Sequence, residues 1–337
     1  MNKQLKCLLT VIFCIATIVL GVAIGSVYIP PMDIFNAIFS TGEEATNATR
    51  SIVIYMRLPR VFLAFIAGTA LSVSGAVMQS VLRNPLASSY TIGVSSGASL
   101  GAALVMLAGL SIPFAGALTL PLAGFIFGFA TILFALSFAS KIDGRMENHT
   151  IILVGMVFSL FVNAITTILM AMNHESMQQL IFWQMGSFSM RGWQAVYILI
   201  PLALVGILFI LHYHREMDIM TFGEENAKAI GVDLVKTKWT LLIAAAAMTG
   251  SVIAFVGVIG FVDLVAPHVV RKLFKSDHRW VIPMSAIIGG MFMVLCDLIA
   301  RVVVPQRELP VGVITALIGA PFFAYVYFVG RRRHAKT

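Results

Sequence analysis

The sequence is short of charge. Only 11% of its 337 residues are Asp, Glu, Lys or Arg, against about 25% in a typical soluble chain. So few charges cannot dress the surface of a soluble fold this long, which excludes a cytosolic enzyme, a disordered chain and a nucleic-acid module. Cysteine is scarce too. Cys7, Cys14 and Cys296 stand in apolar settings, too few for a disulfide framework or a zinc site. No Gly-Lys pair occurs anywhere, so there is no P-loop and no route to ATP through one. His174-Glu175 lacks the second histidine of a zincin, which excludes that class of metalloprotease. Gly93-Val94-Ser95-Ser96-Gly97 matches a nucleophile elbow, but that motif needs a strand-to-helix turn beneath an oxyanion hole. Here it opens an apolar helix, where Gly and Ser serve packing. The chain is not read as an enzyme, and no cofactor or metal is expected on it.

What the sequence has is apolar length: 59% of it is hydrophobic. A bilayer core takes about 20 mostly apolar residues per helix. Ten stretches stand out: 7–27, 60–80, 91–109, 115–139, 150–172, 194–212, 239–257, 259–271, 281–303 and 311–330. The eighth is too short to cross unless protein surrounds it. The expected class is an all-α polytopic membrane protein of about ten transmembrane helices, with residues 1–337 as a single domain. The first stretch follows Lys3 and Lys6 and is read as an uncleaved anchor, because its apolar run is long and nine more follow. The net charge of +8 is accordingly a membrane signal and not a nucleic-acid patch. With both termini in the cytoplasm, 17 of the 23 Lys and Arg residues fall inside, as the positive-inside rule requires. The six left outside are all arginines: Arg50, Arg57, Arg60, Arg191, Arg301 and Arg307.

Three loops carry pattern. In the outer loop 28–59, Pro30 and Pro31 precede Ile34, Phe35, Ile38 and Phe39 at helical spacing, which predicts an interfacial helix. A second outer loop, 173–193, contains Leu180, Ile181, Phe182 and Trp183 and predicts another short helix. The inner loop 213–238 holds Phe222, Gly223, Glu224, Glu225, Asn226, Ala227, Lys228, Ala229, Ile230 and Gly231, a short amphipathic helix closed by glycine. Small residues recur every four positions at Gly93, Gly97 and Gly101, at Ala64, Gly68, Ser72 and Ala76, and at Gly124 and Gly128. They predict close helix packing within one subunit, with a dimer seam as the alternative.

Ionisable residues near the membrane are candidate sites by default. Asp297 and Arg301 are four apart, the spacing of a helical ion pair. Asp263 is read as lying toward the outer side, facing a vestibule, pairing with an outer arginine or marking a helix start. His268 after Pro267 reads first as structural. Arg57 and Arg60 flank Pro59, and Arg301 and Arg307 flank Pro305. Such a ring suits an anionic solute, carboxylates of an acidic partner or lipid phosphates.

Several of these residues fall into blocks that resemble a known family. One block is Arg57-Leu58-Pro59-Arg60, Gly68, Ser74-Gly75-Ala76, Gln79, Arg83-Asn84-Pro85-Leu86-Ala87, Gly93 and Gly97-Ala98. A second is Gly260-Phe261-Val262, Ala266-Pro267-His268, Arg271, Asp277-His278-Arg279 and Pro283. A third is Asp297-Leu298-Ile299-Ala300-Arg301, Glu308-Leu309-Pro310-Val311-Gly312-Val313, Thr315-Ala316 and Gly319-Ala320-Pro321. Together they resemble the permease subunits of iron-chelate, haem and cobalamin importers, the type II ABC importers (FecCD-like), in consistent order from about residue 50 to 330.

The resemblance implies ten-helix permeases paired as dimers. Two separate ATPase subunits, which hold ATP and magnesium, sit below, a soluble binding protein docks above, and the solute passes along the dimer interface. It makes the Gly223–Gly231 segment the ATPase-coupling element. It assigns Arg57, Arg60 and Arg301 to positions that receive glutamates of the binding protein, and Asn148 and His149 to a cytoplasmic gate. Ferric siderophores are the commonest cargo of the resembled family, followed by haem, cobalamin and, in a minor branch, molybdate. One departure is Asp263, where glycine is common. A proton- or sodium-driven carrier is the rival reading, with Asp263 and Asp297 as its ion sites.

Overall fold

The computed structural model describes residues 3–25, 29–39, 47–304 and 307–334, with the backbone alone for 47, 175 and 326–334. Pro305, part of the 28–59 loop and Lys336 lie outside the described residues. Among the described residues, seven helices are long and apolar enough to cross a membrane: 3–23, 48–81, 116–142, 148–172, 192–212, 234–256 and 278–302. Three shorter elements complete ten, and they lie where the sequence placed its third, eighth and tenth spans. In chain order the ten are α1 (Lys3–Ala23), α4 (Leu58–Val81), α5 (Val94–Met106), α6 (Thr119–Ile142), α7 (Asn148–Met172), α9 (Gly192–His212), α12 (Leu234–Val256), α13 (Val262–Phe274), α14 (His278–Val302) and α15 (Val311–His334). The loop helices are α2 (Pro31–Phe39), α3 (Asn47–Ser51), α8 (His174–Gln184), α10 (His214–Thr221) and α11 (Glu224–Ala229). The end of the bundle where α4 begins is called upper here, and the end where it finishes lower.

The most deeply enclosed element is α4, packed by α14, α12, α13 and α9. Small residues permit this. A Cβ on Gly68 would strike the carbonyl of Gly289 on α14, and one on Gly290 would sit 2.5 Å from the Phe65 ring. Thr69 Oγ1 donates to the Ala286 carbonyl across the same seam at 2.8 Å. Gly97 and Gly101 of α5 press likewise on the α6 backbone at Phe127 and Ala123. The four-residue spacing therefore serves packing inside one subunit. In contrast, α7 and α9 present Leu153, Leu160, Phe161, Val205 and Leu208 outward. Such faces are stable in lipid, which is as apolar as they are.

The seventh and eighth spans run in opposite directions: α12 rises from Lys238 beside the lower cleft, and α13 descends to Arg271, which reaches Ser80 near the foot of α4. After Val256 the chain runs extended through Gly257 (φ +81) to Phe261 and resumes as α13. A break at membrane depth is tolerable only where protein satisfies the backbone. Tyr90 donates its hydroxyl to the Ile259 carbonyl at 2.5 Å. Pro267 inside α13 cannot donate to the Asp263 carbonyl four residues back; Gln79 Nε2 does so instead, at 2.9 Å.

The Asp263 backbone lies directly on Gly75, where a Cβ would collide with its carbonyl and approach its Cα to 2.7 Å. Gly75→Ala is thus expected to force α4 from α13 and cost about 1–3 kcal/mol by overpacking. The control is Gly250→Ala, whose Cβ would meet nothing nearer than 3.6 Å. Thermal unfolding in detergent should show a lowered midpoint for the first variant only; equal midpoints would contradict the close approach.

Candidate functional site

Two clefts concentrate the polar residues, one at each end. The lower cleft, about 560 Å³, is lined by Arg83, Arg145, Glu147, Asn148, His149 and the run Phe222–Asn226 with Lys228. It brings together two features that the sequence placed 74 residues apart: the amphipathic helix of the 213–238 loop and the start of α7. Gly223 (φ +118) and Gly231 (φ +94) bound α11 in conformations that favour glycine. Ala227 is buried, while Phe222 and Ile230 are exposed and point a small apolar face off the bundle.

The position of α11 is fixed by one ion pair. Lys238, on the first turns of α12, is fully buried. Its Nζ donates to Glu224 Oε1 and to the Met146 carbonyl, both at 2.7 Å. Met146 closes a turn in which Asp143 accepts from the backbone N–H groups of Glu147 and Arg145. Those two bonds, Glu147 first, hold the Asp143 carboxyl below its ordinary range. One buried ammonium therefore fastens both α11 and the turn before Asn148. Asn148 Oδ1 is buried with no partner among the described residues, and His149 is exposed beside it.

The upper cleft, about 770 Å³, contains Arg57, Arg60, Arg191, Arg301, Arg307 and one carboxylate, Glu308. Asp297, fully buried, lies beneath it. Arg60 reaches Asp297 at 2.9 Å and Glu308 at 2.8 Å. Arg301 reaches Asp297 at 3.1 Å, and its other nitrogens donate to the Gly21 and Ile24 carbonyls. Arg57 lies at the end of a π-helical stretch, Ile52–Arg57, that leads into α4. It donates to the Val22 and Ala23 carbonyls at 2.8 and 2.9 Å. Those carbonyls belong to the last turn of α1, which has no helical donors of its own and carries the negative end of the dipole. Glu308 also accepts from Ser189. Burial pushes the Glu308 carboxyl up, but the hydrogen bonds from Arg60 and Ser189, with the Arg60 and Arg301 charges, bring it net below its usual value.

The Asp297–Arg301 pair expected from spacing is present, and Arg60 joins it from α4. Arg57, Arg60 and Arg301 converge on one cleft, as the ring reading anticipated. Their nitrogens, however, are largely engaged inside the chain. The exposed charges at the rim are Arg307, which the ring reading included and the family resemblance did not, and Glu308, to which neither gave a docking role.

Asp263 is not at the outer side and pairs with no arginine among the described residues; of its expected roles the helix start holds, since it lies in the first turn of α13. It is buried against Gly75, well down α4, about 25 Å below its first residue at 1.5 Å per residue, and accepts from Ser88 Oγ. The length of a span does not reveal that its helix begins halfway through the bundle.

The remaining motif residues have structural work. Gln79 bonds Arg271 as well as Asp263. Arg83 (φ +49), Asn84 and Pro85 form the turn below α4, with Asn84 Oδ1 accepting from Leu86 N–H. Gly93 (φ +106) starts α5. His268 lies edge-on to Phe322 and tilted to Phe323, 6.0 and 6.4 Å between centroids. Pro310 precedes α15, Gly312 sits under the Met185 carbonyl, and Pro321 lies within α15.

Residues 12–328 match the model of the FecCD transport family. The chain is 40% identical over 319 residues to the uncharacterized ABC transporter permease protein YvrB of Bacillus subtilis, covering 93% of this chain and 90% of that one. It is 38% identical to the cobalamin import system permease protein BtuC of Halobacterium salinarum, over 82% of this chain and 73% of that one. Among solved structures, an inward-facing metal-chelate type ABC transporter superposes with a TM-score of 0.83 at 27% identity, covering 95% and 97% of the two chains. Further relatives carry the names of Fe(3+) dicitrate, hemin and molybdate permeases, from Escherichia coli, Yersinia pestis and Haemophilus influenzae, at 35%, 32% and 30% identity.

Proposed function

This chain belongs to the FecCD transport family of ABC importer permeases, and from that premise we propose that it carries a metal chelate inward through the cytoplasmic membrane. The lower end faces the cytoplasm, where both termini lie. Two ATPase subunits holding ATP and magnesium bind there and engage Phe222, Gly223, Glu224, Glu225, Ala227 and Gly231. A second permease copy or a paralogue completes the translocation path, and an extracytoplasmic binding protein delivers cargo at the upper end. Asn148 and His149 border the cytoplasmic exit. This chain supplies no ATPase site of its own.

The observation that carries the reading is the lower cleft. It sets α11, flanked by the exposed apolar Phe222 and Ile230, across from the start of α7, so that force applied to α11 by a partner reaches the turn before α7 through the Lys238 ammonium that holds both. The upper cleft supports docking of an acidic partner surface through its rim. Arg307 is the exposed cation there, while Arg57, Arg60 and Arg301 shape the floor and hold its positive potential. A ferric siderophore is the cargo best matched to the family's range; haem, cobalamin and molybdate remain within it. An ion-coupled carrier is not favoured. Asp297 is neutralised by two arginines, and Asp263 is enclosed by protein.

The test is uptake by cells lacking this chain and its redundant relatives, against the same cells with it restored. The panel is labelled ferric siderophores, haem, cobalamin and molybdate, with and without ATP depletion. Restored, ATP-dependent uptake of one cargo is expected. Uptake that survives ATP depletion but stops in Asp263→Asn would transfer the protein to the carrier class.

A further inference from the structure

A second polar assembly lies below Asp263, and neither cleft accounts for it. Asp218 sits on α10, one turn before the coupling segment, between the buried anchors Met217 and Met220. Its Oδ1 accepts from the His278 backbone N–H at 3.0 Å and from ring Nδ1 at 2.5 Å. The other ring nitrogen meets Ser80 Oγ on α4 at 2.6 Å, and Arg271 of α13 donates to the same hydroxyl at 3.1 Å. His278 is the first residue of α14 and is buried. A loop helix is thereby pinned to the lower ends of α4 and α14 at one point.

Those two helices are joined along their whole length. The Ser80–His278 contact closes the lower end, the Gly68–Gly289 approach and the Thr69 bond the middle, and Arg60–Asp297 the upper end. Closely packed elements with both ends fixed move as one body, because interiors are not continuously deformable. The 25 residues of α14 span about 37 Å at 1.5 Å per residue, from the coupling loop to the floor of the upper cleft.

We propose that Asp218 and His278 are positioning residues that tie the coupling loop to the α4–α14 pair, so that events at the ATPase face and at the upper cleft are read by each other through one rigid unit. This rests on the importer reading above. It adds a specific mechanical link, from α10 through α14 to the Arg60–Asp297–Arg301 cluster. Coupling between two sites requires an element that both sites bias, and α14 meets that requirement by contacting both.

The experiment uses the permease with its ATPase subunit in nanodiscs, with Cys7, Cys14 and Cys296 replaced by alanine and a reporter cysteine at Leu63, a buried residue of the upper cleft. The probe is ATP with vanadate, and the readout is the rate of maleimide modification of the reporter. In the otherwise unaltered protein, trapping is expected to change that rate about fivefold, the low end of ordinary allosteric coupling. Asp218→Ala and, separately, Ser80→Ala should reduce the change to less than about twofold, while the ATPase still co-purifies and hydrolyses ATP. Asp218→Asn, which keeps an accepting oxygen, should restore much of it. A full response in Ser80→Ala or in an assembled Asp218→Ala complex would overturn the link. Failure of the unaltered permease to bind an ATPase would instead strike the importer reading.

Discussion

Asp297→Ala is expected to lower the unfolding free energy by about 3–5 kcal/mol, the range for breaking a buried ion pair from one side. The carboxylate is fully buried and holds Arg60 and Arg301 at 2.9 and 3.1 Å. Arg57 is close enough to Arg301 for their charges to repel. Without Asp297, three guanidinia share one floor. The remaining anion is Glu308, whose side chain is 48% exposed and touches only Arg60 among them. Asp297→Asn should fall between, since its amide oxygen still accepts while the charge is gone. Arg60→Met should cost less than Asp297→Ala, because Asp297 keeps Arg301. Chemical unfolding in detergent orders the three variants. Equal losses, or a loss under about 1 kcal/mol for Asp297→Ala, would mean that the cluster behaves as a solvated surface pair. The same arithmetic warns against reversing Arg57, Arg60 and Arg301 as a docking test, since the fold suffers first. Arg307→Glu probes docking more cleanly, because its exposed side chain makes no hydrogen bond among the described residues.

The sequence made part of this legible. Apolar runs located the seven helices long enough to cross and the three shorter elements beside them, because lipid imposes composition over a fixed length. The four-residue spacing exposed the Asp297–Arg301 pair and the glycine seams, which are local to a helix. What it hid was contact between distant segments. Arg60 and Asp297 are 237 residues apart, so no periodicity links them, and only the α4–α14 packing shows that the outer arginines are largely committed. Asp263 was misplaced toward the outer face because a hydropathy run does not distinguish a full span from a break followed by half a helix. The signal was present in Gly257, Gly260 and Pro267, residues that punctuate or kink a helix. Gln79 and Pro267 recur in the family blocks as separate motif residues; the structure makes them one device, the amide supplying the donor that proline removes. Asp218 had no signal of its own, since a lone aspartate in an inner loop is ordinarily solvated.

Glu224→Ala is the other change expected to have a large effect, and its comparison with Lys238→Met says why. The Lys238 ammonium is fully buried with two partners, Glu224 and the Met146 carbonyl. Removing Glu224 leaves a buried cation with one neutral acceptor, at a cost of about 3–5 kcal/mol. Lys238→Met keeps the volume and removes the charge. Glu224, whose side chain is already 28% exposed, can turn to water, and the loss is then mainly the Met146 carbonyl left without its donor, about 1–3 kcal/mol. The double variant should recover most of the difference, since an apolar pair replaces the buried ions without leaving either alone. Because α11 is short and held by this pair, the penalty is expected as local detachment before global unfolding. Hydrogen exchange at residues 222–230 should therefore rise sharply in Glu224→Ala while α4 and α14 stay protected, and ATPase association should fall with it. If Lys238→Met proves the more damaging of the two, the ammonium is reached by water and the pair does not hold α11. If exchange rises equally throughout the chain, α11 belongs to the global folding unit and is not a separately mobile coupling element.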